Sequence, residues 1–251
     1  MADNINSEDR LIISRVQDAV CSARDRYATR FIGFLDGHGT AVAKQAAAGY
    51  ANIAFYGGHE SAERVFMCIY PDYAEISADD YPFQAVTVTA RPTAQLTHRD
   101  WLGSLMSLGI RRDSVGDILT DGSKGVIFLA DGIVDYVVGQ LQKVGGEGVK
   151  IQLGYTLPLP EANGFEELRF TVASTRLDCV VGALCSYSRS KAEEVIGAGL
   201  VTVDSAECLS TTKKVSAGSR IAVRGKGKFI IDNCDFTTRK GRTVMCVRKY
   251  I

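Results

Sequence analysis

The middle of the chain carries an ordered series of strand-like and helix-like segments that few folds can accommodate. A first strand is predicted at Phe83–Ala90, which is rich in β-formers. A helix is predicted after Thr97, because Asp100 stands three residues later and completes a capping-box pattern. The segments that follow are strands Val115–Leu119 and Gly125–Leu129, helix Ile133–Val144 and strand Val149–Leu153. This β-α-β-β-α-β order predicts a ferredoxin-like domain.

Shorter α/β patterns on either side predict two further small domains. Before residue 76, an amphipathic helix with apolar residues from Leu11 to Ala23 precedes short strands on both sides of Gly57-Gly58. After residue 170, two short helices precede several strands. We therefore expect an α+β chain made of an N-terminal α/β domain (1–75), a ferredoxin-like RNA-binding domain (76–155), a linker (156–169) and a C-terminal helix pair on a small antiparallel sheet (170–251).

The net charge of zero hides an uneven distribution of charge along the chain. Residues 1–169 hold 15 Lys and Arg against 22 Asp and Glu, whereas residues 170–251 hold 14 against 7. A basic segment of this size is typical of a surface that binds a polyanion such as RNA. Accidental clustering of solvated surface charge is the alternative at this point.

A predicted helix start within the basic segment concentrates groups that suit phosphate. Arg189 and Lys191 lie in the first turn, where the positive end of the helix macrodipole disfavours cations. A phosphate would favour the arrangement, because free backbone N–H groups and two cations converge there. On strand Arg220–Arg224, period-two alternation places both arginines on the solvent face. The predicted RNA-binding residues are Arg176, Ser188, Arg189, Ser190, Lys191, Lys213, Lys214, Arg220, Arg224, Lys226 and Lys228.

A second set of basic residues brackets the first helix of the central domain. His98 and Arg99 stand at its start, and Arg111 and Arg112 follow its end, so they form a possible second RNA contact. An ordinary helix start, whose polar groups have local hydrogen-bond partners, and a solvent-exposed loop explain the same residues equally well. Lys124–Phe128 matches only part of the signature that places stacking aromatics on the central strands of RNA-binding ferredoxin-like sheets.

The sequence lacks the residue patterns that common enzyme and metal sites need. The three His residues have no metal-ligand spacing, and the seven Cys residues contain no CxxC pair. Asp36-Gly-His-Gly39 lacks the third glycine of a dinucleotide-binding loop. We therefore expect no catalytic residues, no cofactor and no metal. No apolar run is long enough for a membrane span, and the polar N-terminus lacks the apolar stretch of a signal peptide, so we expect a cytoplasmic protein.

The basic segment carries residues that match a known domain. Arg176-Leu-Asp178, Tyr187-Ser-Arg-Ser-Lys-Ala192, Ile196-Gly-Ala-Gly199 and Gly218–Gly225 resemble the S4-type RNA-binding domain. The segment Leu96–Ile118 resembles the middle domain of the YlmH family. Gly57-Gly58, Ala62-Glu-Arg64 and Tyr70-Pro71 fit the N-terminal domain of that family.

Resemblance to the YlmH family implies a role in translation. YlmH-type proteins are bacterial, cytoplasmic and often encoded among cell-division genes. They are similar to S4-domain factors that bind large ribosomal subunits carrying stalled peptidyl-tRNA. The resemblance therefore implies a non-enzymatic RNA-binding protein that associates with the large ribosomal subunit through rRNA or tRNA. We also expect this protein to be a monomer and to have no membrane partner. The open alternatives are an RNA-modifying enzyme with an appended S4-like domain and an adaptor of the division machinery.

Overall fold

The computed structural model describes residues 7–160, 165–204, 206–239 and 241–250. They fall into two compact units, Met1–Ala162 and Asn163–Ile251. The helices are α1 (Ser7–Arg26), α2 (Gly37–Ala46), α3 (His98–Ser107), α4 (Asp131–Gln140), α5 (Leu177–Cys185) and α6 (Arg189–Gly197). The strands are β1 (Arg30–Leu35), β2 (Ile53–Tyr56), β3 (Val65–Ile69), β4 (Phe83–Thr89), β5 (Val115–Thr120), β6 (Lys124–Ala130), β7 (Lys143–Val144), β8 (Glu147–Gly148), β9 (Lys150–Leu153), β10 (Phe165–Val172), β11 (Val201–Val203), β12 (Ala206–Glu207), β13 (Arg220–Val223), β14 (Gly227–Thr237) and β15 (Thr243–Tyr250).

The central residues form the ferredoxin-like arrangement that the sequence predicts. Strands β4, β5, β6 and β9 make one antiparallel sheet in the order β5-β6-β4-β9. Helices α3 and α4 cover one face of this sheet, where Trp101 and Val137 are fully buried. Thr97 and Asp100 form the predicted capping box at the start of α3. The expected α+β fold class is confirmed.

The second helix of this domain is shorter than its apolar pattern suggests. Helix α4 ends at Gln140, whereas the sequence predicts a helix through Val144. Residues 143–148 instead form the hairpin β7-β8 around Gly145 and Gly146, whose φ angles are 54° and 88°. Two consecutive positive φ angles suit the tight turn of a hairpin, and glycine adopts them without strain, so the glycine pair forms a hairpin turn and not the end of α4.

The N-terminal residues form a small three-stranded sheet with two helices. The strand order is β1-β3-β2, and α1 and α2 pack on it around the fully buried Val16, Ala43 and Met67. Helix α2 begins at Gly37, inside the segment interpreted as a loop from sequence. The Asp36 side chain caps it by accepting a hydrogen bond from the Gly39 backbone N–H at 2.8 Å. The Asp36-Gly-His-Gly39 segment, which lacks the third glycine of a dinucleotide-binding loop, thus forms an ordinary capped helix start.

An aromatic cluster joins the N-terminal sheet to the open face of the central sheet. Phe34 and Phe66 come from the N-terminal sheet, whereas Phe83 and Phe128 come from β4 and β6. The ring centroids of Phe34 and Phe83 lie 5.2 Å apart, and Phe128 is only 1% exposed. Both faces of the central sheet are therefore covered, one by helices and the other by the N-terminal residues.

The loop before β3 fixes this contact through Asp117 on β5. The two carboxylate oxygens of Asp117 accept backbone hydrogen bonds from Glu63 at 2.7 Å and Arg64 at 3.1 Å. The Arg64 guanidinium donates to the carbonyl oxygens of Phe34, Arg112 and Val115 at 2.8–3.1 Å. Burial lowers the pKa of Arg64, and nearby carboxylates including Asp117 oppose that effect. One partly buried arginine thus holds three backbone segments together.

The C-terminal unit is a six-stranded antiparallel sheet with two helices. The strand order is β10-β15-β14-β13-β11-β12, and α5 and α6 pack on it around a core that includes Val181, Ile196 and Ile221. Strand β10 begins at Phe165, inside the segment predicted as a linker (156–169), because it pairs along its length with β15, some 80 residues later. The division into three domains stays a prediction.

No helix within residues 7–160, 165–204, 206–239 and 241–250 is both long enough and apolar enough to cross a bilayer.

Substitution of Gly58 by alanine should weaken the contact between the N-terminal and central sheets. Gly58 has a φ of 96°, and an added Cβ would lie 2.2 Å from the Phe128 ring. Backbone strain and overpacking should together lower the free energy of unfolding of the full chain by at least about 2 kcal/mol, measured by urea denaturation. The matched control is Gly103→Ala in α3, where a Cβ meets open space. That variant should be neutral or gain up to about 1 kcal/mol. Equal effects of the two substitutions would contradict the packing role of Gly58.

Candidate nucleic-acid interface

A buried carboxylate organises the basic residues of the C-terminal unit. Asp178 on α5 is 1% exposed. The Arg176 guanidinium donates two hydrogen bonds to its oxygens, at 3.0 and 2.8 Å. Arg189 at the start of α6 places a guanidinium nitrogen 3.4 Å from the same carboxylate. The hydrogen bonds from Arg176, with that from the Cys179 backbone, hold the pKa of Asp178 below its usual range despite burial.

The loop that carries two predicted lysines adjoins this cluster. Arg176 and Lys214 form a β-bridge, and the Leu177 backbone N–H donates to the Lys213 carbonyl oxygen at 2.8 Å. The side chains of Lys213 and Lys214 are exposed. Four of the predicted residues, Arg176, Arg189, Lys213 and Lys214, are therefore brought together at the start of the two helices.

Two carboxylates in the second turn of α6 neutralise the cations of its first turn, which dipole reasoning alone does not include. Ser188 caps the helix by accepting from the Lys191 backbone N–H, and Ser190 is exposed in the first turn. Arg189 pairs with Glu193 at 3.1 Å, and Lys191 pairs with Glu194 at 2.6 Å. These carboxylates offset the unfavourable dipole interaction of the two cations. A phosphate at this helix start would therefore compete with glutamates of the next turn.

The sheet supplies a second group of cations on its exposed face. Ile221 and Val223 are buried and Arg220 and Arg224 are exposed, which confirms the alternation predicted for β13. Arg224 and Lys228 line a depression of about 330 Å³. Gly225 and Gly227 in the intervening turn have φ angles of 79° and 122°, so their lack of a side chain permits the tight turn.

The cationic turn after β13 lies close to the start of α6. The Lys226 ammonium sits 5.2 Å from the centroid of the Tyr187 ring. Tyr187 directly precedes Ser188, the cap of α6. This contact connects the sheet cations with the cations around Asp178. Sequence reasoning missed it, because it joins side chains almost 40 residues apart.

Several cations of this surface lack a carboxylate partner. Within the described part of the chain, the side chains of Lys213, Lys214, Arg220 and Arg224 have no Asp or Glu at ion-pair distance. Their positive charge is therefore not offset locally. Such charges favour phosphate contacts more than paired cations do, since no existing ion pair must be broken.

The basic residues around α3 divide into buried and exposed groups. Arg112 is partly buried and donates to the carbonyl oxygens of Val115 and Gly116 at 2.5 and 3.3 Å. Burial and the neighbouring Arg64 lower the pKa of Arg112 to about 10. Arg111 forms a bidentate pair with Asp113, at 3.0 and 2.6 Å. Arg112 thus has the structural role left open by the sequence. Arg111, whose side chain is 69% exposed, and Arg99 are exposed, and His98 is partly exposed at the start of α3, so an RNA contact through these three residues stays a prediction.

Base stacking on the central sheet is prevented by the fold. Phe128, the aromatic residue of the partial signature Lys124–Phe128, packs against His59 with ring centroids 5.4 Å apart. It also belongs to the aromatic cluster that the N-terminal sheet covers. An RNA contact of the central domain therefore has to use another surface.

The histidines and cysteines form no metal centre in the residues that the structure describes. No group of three His, Cys, Asp or Glu side chains there could hold a metal ion. His38 pairs with Asp9 at 2.9 Å, and His59 pairs with Asp117 at 3.1 Å, so both join separate segments of the fold.

Comparisons with known proteins find similar proteins that are named for RNA binding, for ribosome association and for cell division. A family model described as "Putative RNA-binding domain in YlmH" matches residues 77–156. The Bacillus subtilis protein named ribosome-associated protein quality control protein P2 is 29% identical over 247 residues, which is 96% of this chain and 93% of that protein. A solved structure of the cell division protein ylmH from Streptococcus pneumoniae is 25% identical, with a TM-score of 0.51, and covers 62% of this chain and 96% of its own.

Replacement of Asp178 by asparagine should destabilise the C-terminal unit in a pH-dependent manner. Because the pKa of Asp178 is depressed in the fold, its charge stabilises the protein above the unfolded-state pKa of about 3.9, and this contribution is lost as the pH falls further. At pH 7 Asp178→Asn should lower the free energy of unfolding by roughly 1–3 kcal/mol, and the difference from wild type should shrink towards pH 3.

The control for this prediction is Asp232→Asn, which disrupts an exposed pair with Arg248 at 2.8 Å. Exposed pairs contribute at most about 1 kcal/mol. Urea denaturation of the full chain at pH 7, 5 and 3 measures both variants. A deficit in Asp178→Asn that stays the same at all three pH values would rule out the ionic origin of the effect.

Proposed function

We propose that this protein is a non-enzymatic RNA-binding protein that associates with the ribosome. Its resemblance to the YlmH family, which the comparisons confirm, is the premise of this proposal. Its RNA target is large-subunit rRNA or tRNA, and its role is the rescue or quality control of stalled large subunits. The observation that carries the proposal is the cation surface of the C-terminal unit, whose exposed Lys213, Lys214, Arg220 and Arg224 lack local carboxylate partners.

The shape of this surface favours a phosphate backbone over a small molecule. Its cations extend from the Asp178 cluster across the Lys226 turn to the depression lined by Arg224 and Lys228. Contacts of this kind position a protein on folded RNA without reading its sequence. A single small anion would occupy only one part of the surface.

Aromatic residues beside the cations of this surface give little support to single-strand stacking. The three rings there are those of Tyr187, Phe229 and Tyr250, and Phe229 is 1% exposed and belongs to the core. The exposed Phe236 lies at the opposite end of β14 from Lys228. Tyr187 is partly buried below Lys226, and Tyr250 lies 6.0 Å from the Lys228 ammonium. Proteins that bind single strands use exposed rings on which bases stack. We therefore propose that the unit recognises the shape of folded RNA.

Cross-linking of the full chain to RNA in cells, followed by sequencing of the bound RNA, tests the proposal. Enrichment of large-subunit rRNA or tRNA, with sedimentation of the protein in the large-subunit fraction, is the expected outcome. Recovery of no RNA would overturn the proposal in favour of a protein adaptor. Loss of one modified nucleotide on deletion of the gene would overturn it in favour of an RNA-modifying enzyme.

Removal of the two arginines of the β13 face should weaken ribosome association at least tenfold. In Arg220→Gln with Arg224→Gln, two charge-assisted phosphate contacts are lost, each worth about 1.5–3 kcal/mol. The slope of log affinity against log salt should become shallower by roughly 1.5–2, because fewer counterions are released. Pelleting of the protein with purified large subunits at several salt concentrations measures both quantities.

The matched control, Arg10→Gln with Arg24→Gln on exposed positions of α1, should bind as wild type does. Equal loss in both pairs would place the interface elsewhere.

A charge-neutral variant separates specific contacts of α6 from its net charge. Replacement of Arg189, Lys191, Glu193 and Glu194 by glutamine removes two cations and the two carboxylates that pair with them. If Arg189 and Lys191 contact phosphates, affinity for large subunits should fall at least tenfold although the net charge is unchanged. The unit should stay folded in thermal denaturation, because Arg176 still donates two hydrogen bonds to the buried Asp178 carboxylate that Arg189 also approaches. The pairs with Glu193 and Glu194 are exposed and stabilise little. Retention of full affinity in this variant would remove α6 from the interface.

A further inference from the structure

A cleft on the N-terminal sheet lies far along the chain from the basic segment and contains unpaired arginines. It has a volume of about 440 Å³ and lies between α1 and the edge strand β1. Its charged lining residues are Arg15, Asp18, Arg26 and Arg30. The volume falls within the range of roughly 300–1,000 Å³ that is typical of small-ligand sites.

Three arginines at one cleft are unexpected in this part of the chain. Residues 1–75 hold 7 Lys and Arg against 10 Asp and Glu, so the segment as a whole is acidic. Among the residues that the structure describes, Arg15, Arg26 and Arg30 have no carboxylate at ion-pair distance. Asp113, which Arg15 influences electrostatically, is already paired with Arg111. The helix macrodipole favours Arg26 near the end of α1, but it does not account for Arg15 or Arg30.

A buried hydroxyl at the same cleft also lacks a partner. Ser22 lines the cleft and is only 8% exposed, and its hydroxyl has no hydrogen-bond partner within the described residues. Most buried polar side-chain atoms in native structures have a partner. A polar ligand in the cleft would supply the missing hydrogen bond.

The other lining residues indicate what kind of anion fits. Phe31, Ile32 and Phe66 provide an apolar wall, and Asp18 provides one hydrogen-bond acceptor. Inorganic phosphate would use the arginines but make no contact with the apolar wall. A nucleotide would use all of these groups, since its phosphate suits the guanidinium groups, its base suits the apolar wall, and its amino or hydroxyl groups suit Asp18.

We propose that this cleft binds a single nucleotide, either a free mononucleotide or the phosphorylated end of an RNA chain. Arg15, Arg26 and Arg30 bind the phosphate, and Ser22 donates a hydrogen bond to it. The site is independent of the cation surface in the C-terminal unit, and it does not depend on association with the ribosome.

Isothermal titration calorimetry of the full chain tests this proposal with defined probes. The probes are the four ribonucleoside 5′-monophosphates, adenosine, inorganic phosphate, and a hexanucleotide RNA with either a 5′-phosphate or a 5′-hydroxyl. At least one monophosphate should bind at least tenfold more tightly than adenosine or inorganic phosphate. A 5′-phosphorylated hexanucleotide that binds more tightly than both its 5′-hydroxyl counterpart and every monophosphate identifies an RNA end as the source. Equal binding of the two hexanucleotides, with tighter binding of a monophosphate to the cleft, identifies a free nucleotide.

Variants assign the binding to the cleft. Arg26→Gln with Arg30→Gln should weaken monophosphate binding at least tenfold, and Ser22→Ala should weaken it severalfold without loss of the folded state in thermal denaturation. The charge-matched control Arg10→Gln with Arg24→Gln, at residues outside the cleft, should leave binding unchanged. Arg220→Gln with Arg224→Gln should also leave monophosphate binding unchanged. Failure of the proposed ribosome association can therefore be distinguished from failure of the proposed nucleotide site. Absence of binding by every nucleotide probe at millimolar concentration, or equal loss in the cleft and control pairs, would overturn the proposal.

Discussion

The buried carboxylate of Asp178 determines where the basic residues of the C-terminal unit lie. A buried charge is strongly unfavourable unless it is paired and hydrogen-bonded. Two guanidinium groups, from Arg176 and Arg189, satisfy this requirement, and their side chains are consequently held at the starts of α5 and α6. The same residues then face solvent on their other side, since Arg189 is 68% exposed. One interaction thus stabilises the helix pair and arranges part of the proposed RNA surface.

A comparable constraint in the N-terminal unit limits how the central domain can contact RNA. Asp117 and Arg64 fix the loop before β3 against β5, and Gly58 allows that loop to approach the Phe128 ring closely. The face on which related sheets present stacking aromatics is consequently part of the core. Of the basic residues near α3, Arg99 and Arg111 remain exposed, one at the start of the helix and the other after its end.

The two proposed sites use cations in different ways. The C-terminal cations are spread over an exposed surface, which suits many weak phosphate contacts and a strong dependence on salt. The arginines between α1 and β1 surround a cleft with an apolar wall and a buried hydroxyl, which suits one small ligand. An uneven distribution of charge along the sequence reveals only the first kind, because the cleft lies within an acidic segment.

The sequence by itself determined those features that depend on near neighbours along the chain. The capping box of Thr97 and Asp100, the alternation in β13 and the β-α-β-β-α-β order each follow from local hydrogen bonding or from the period of apolar residues. The tertiary structure alone decided the burial of Phe128, the contact of the Arg64 loop with Asp117 and the extension of the C-terminal sheet by β10. Each of these depends on a partner some 50 to 80 residues away in the chain. Local periodicity carries no information about such pairs, since burial and hydrogen bonding between distant segments arise only when the chain has folded.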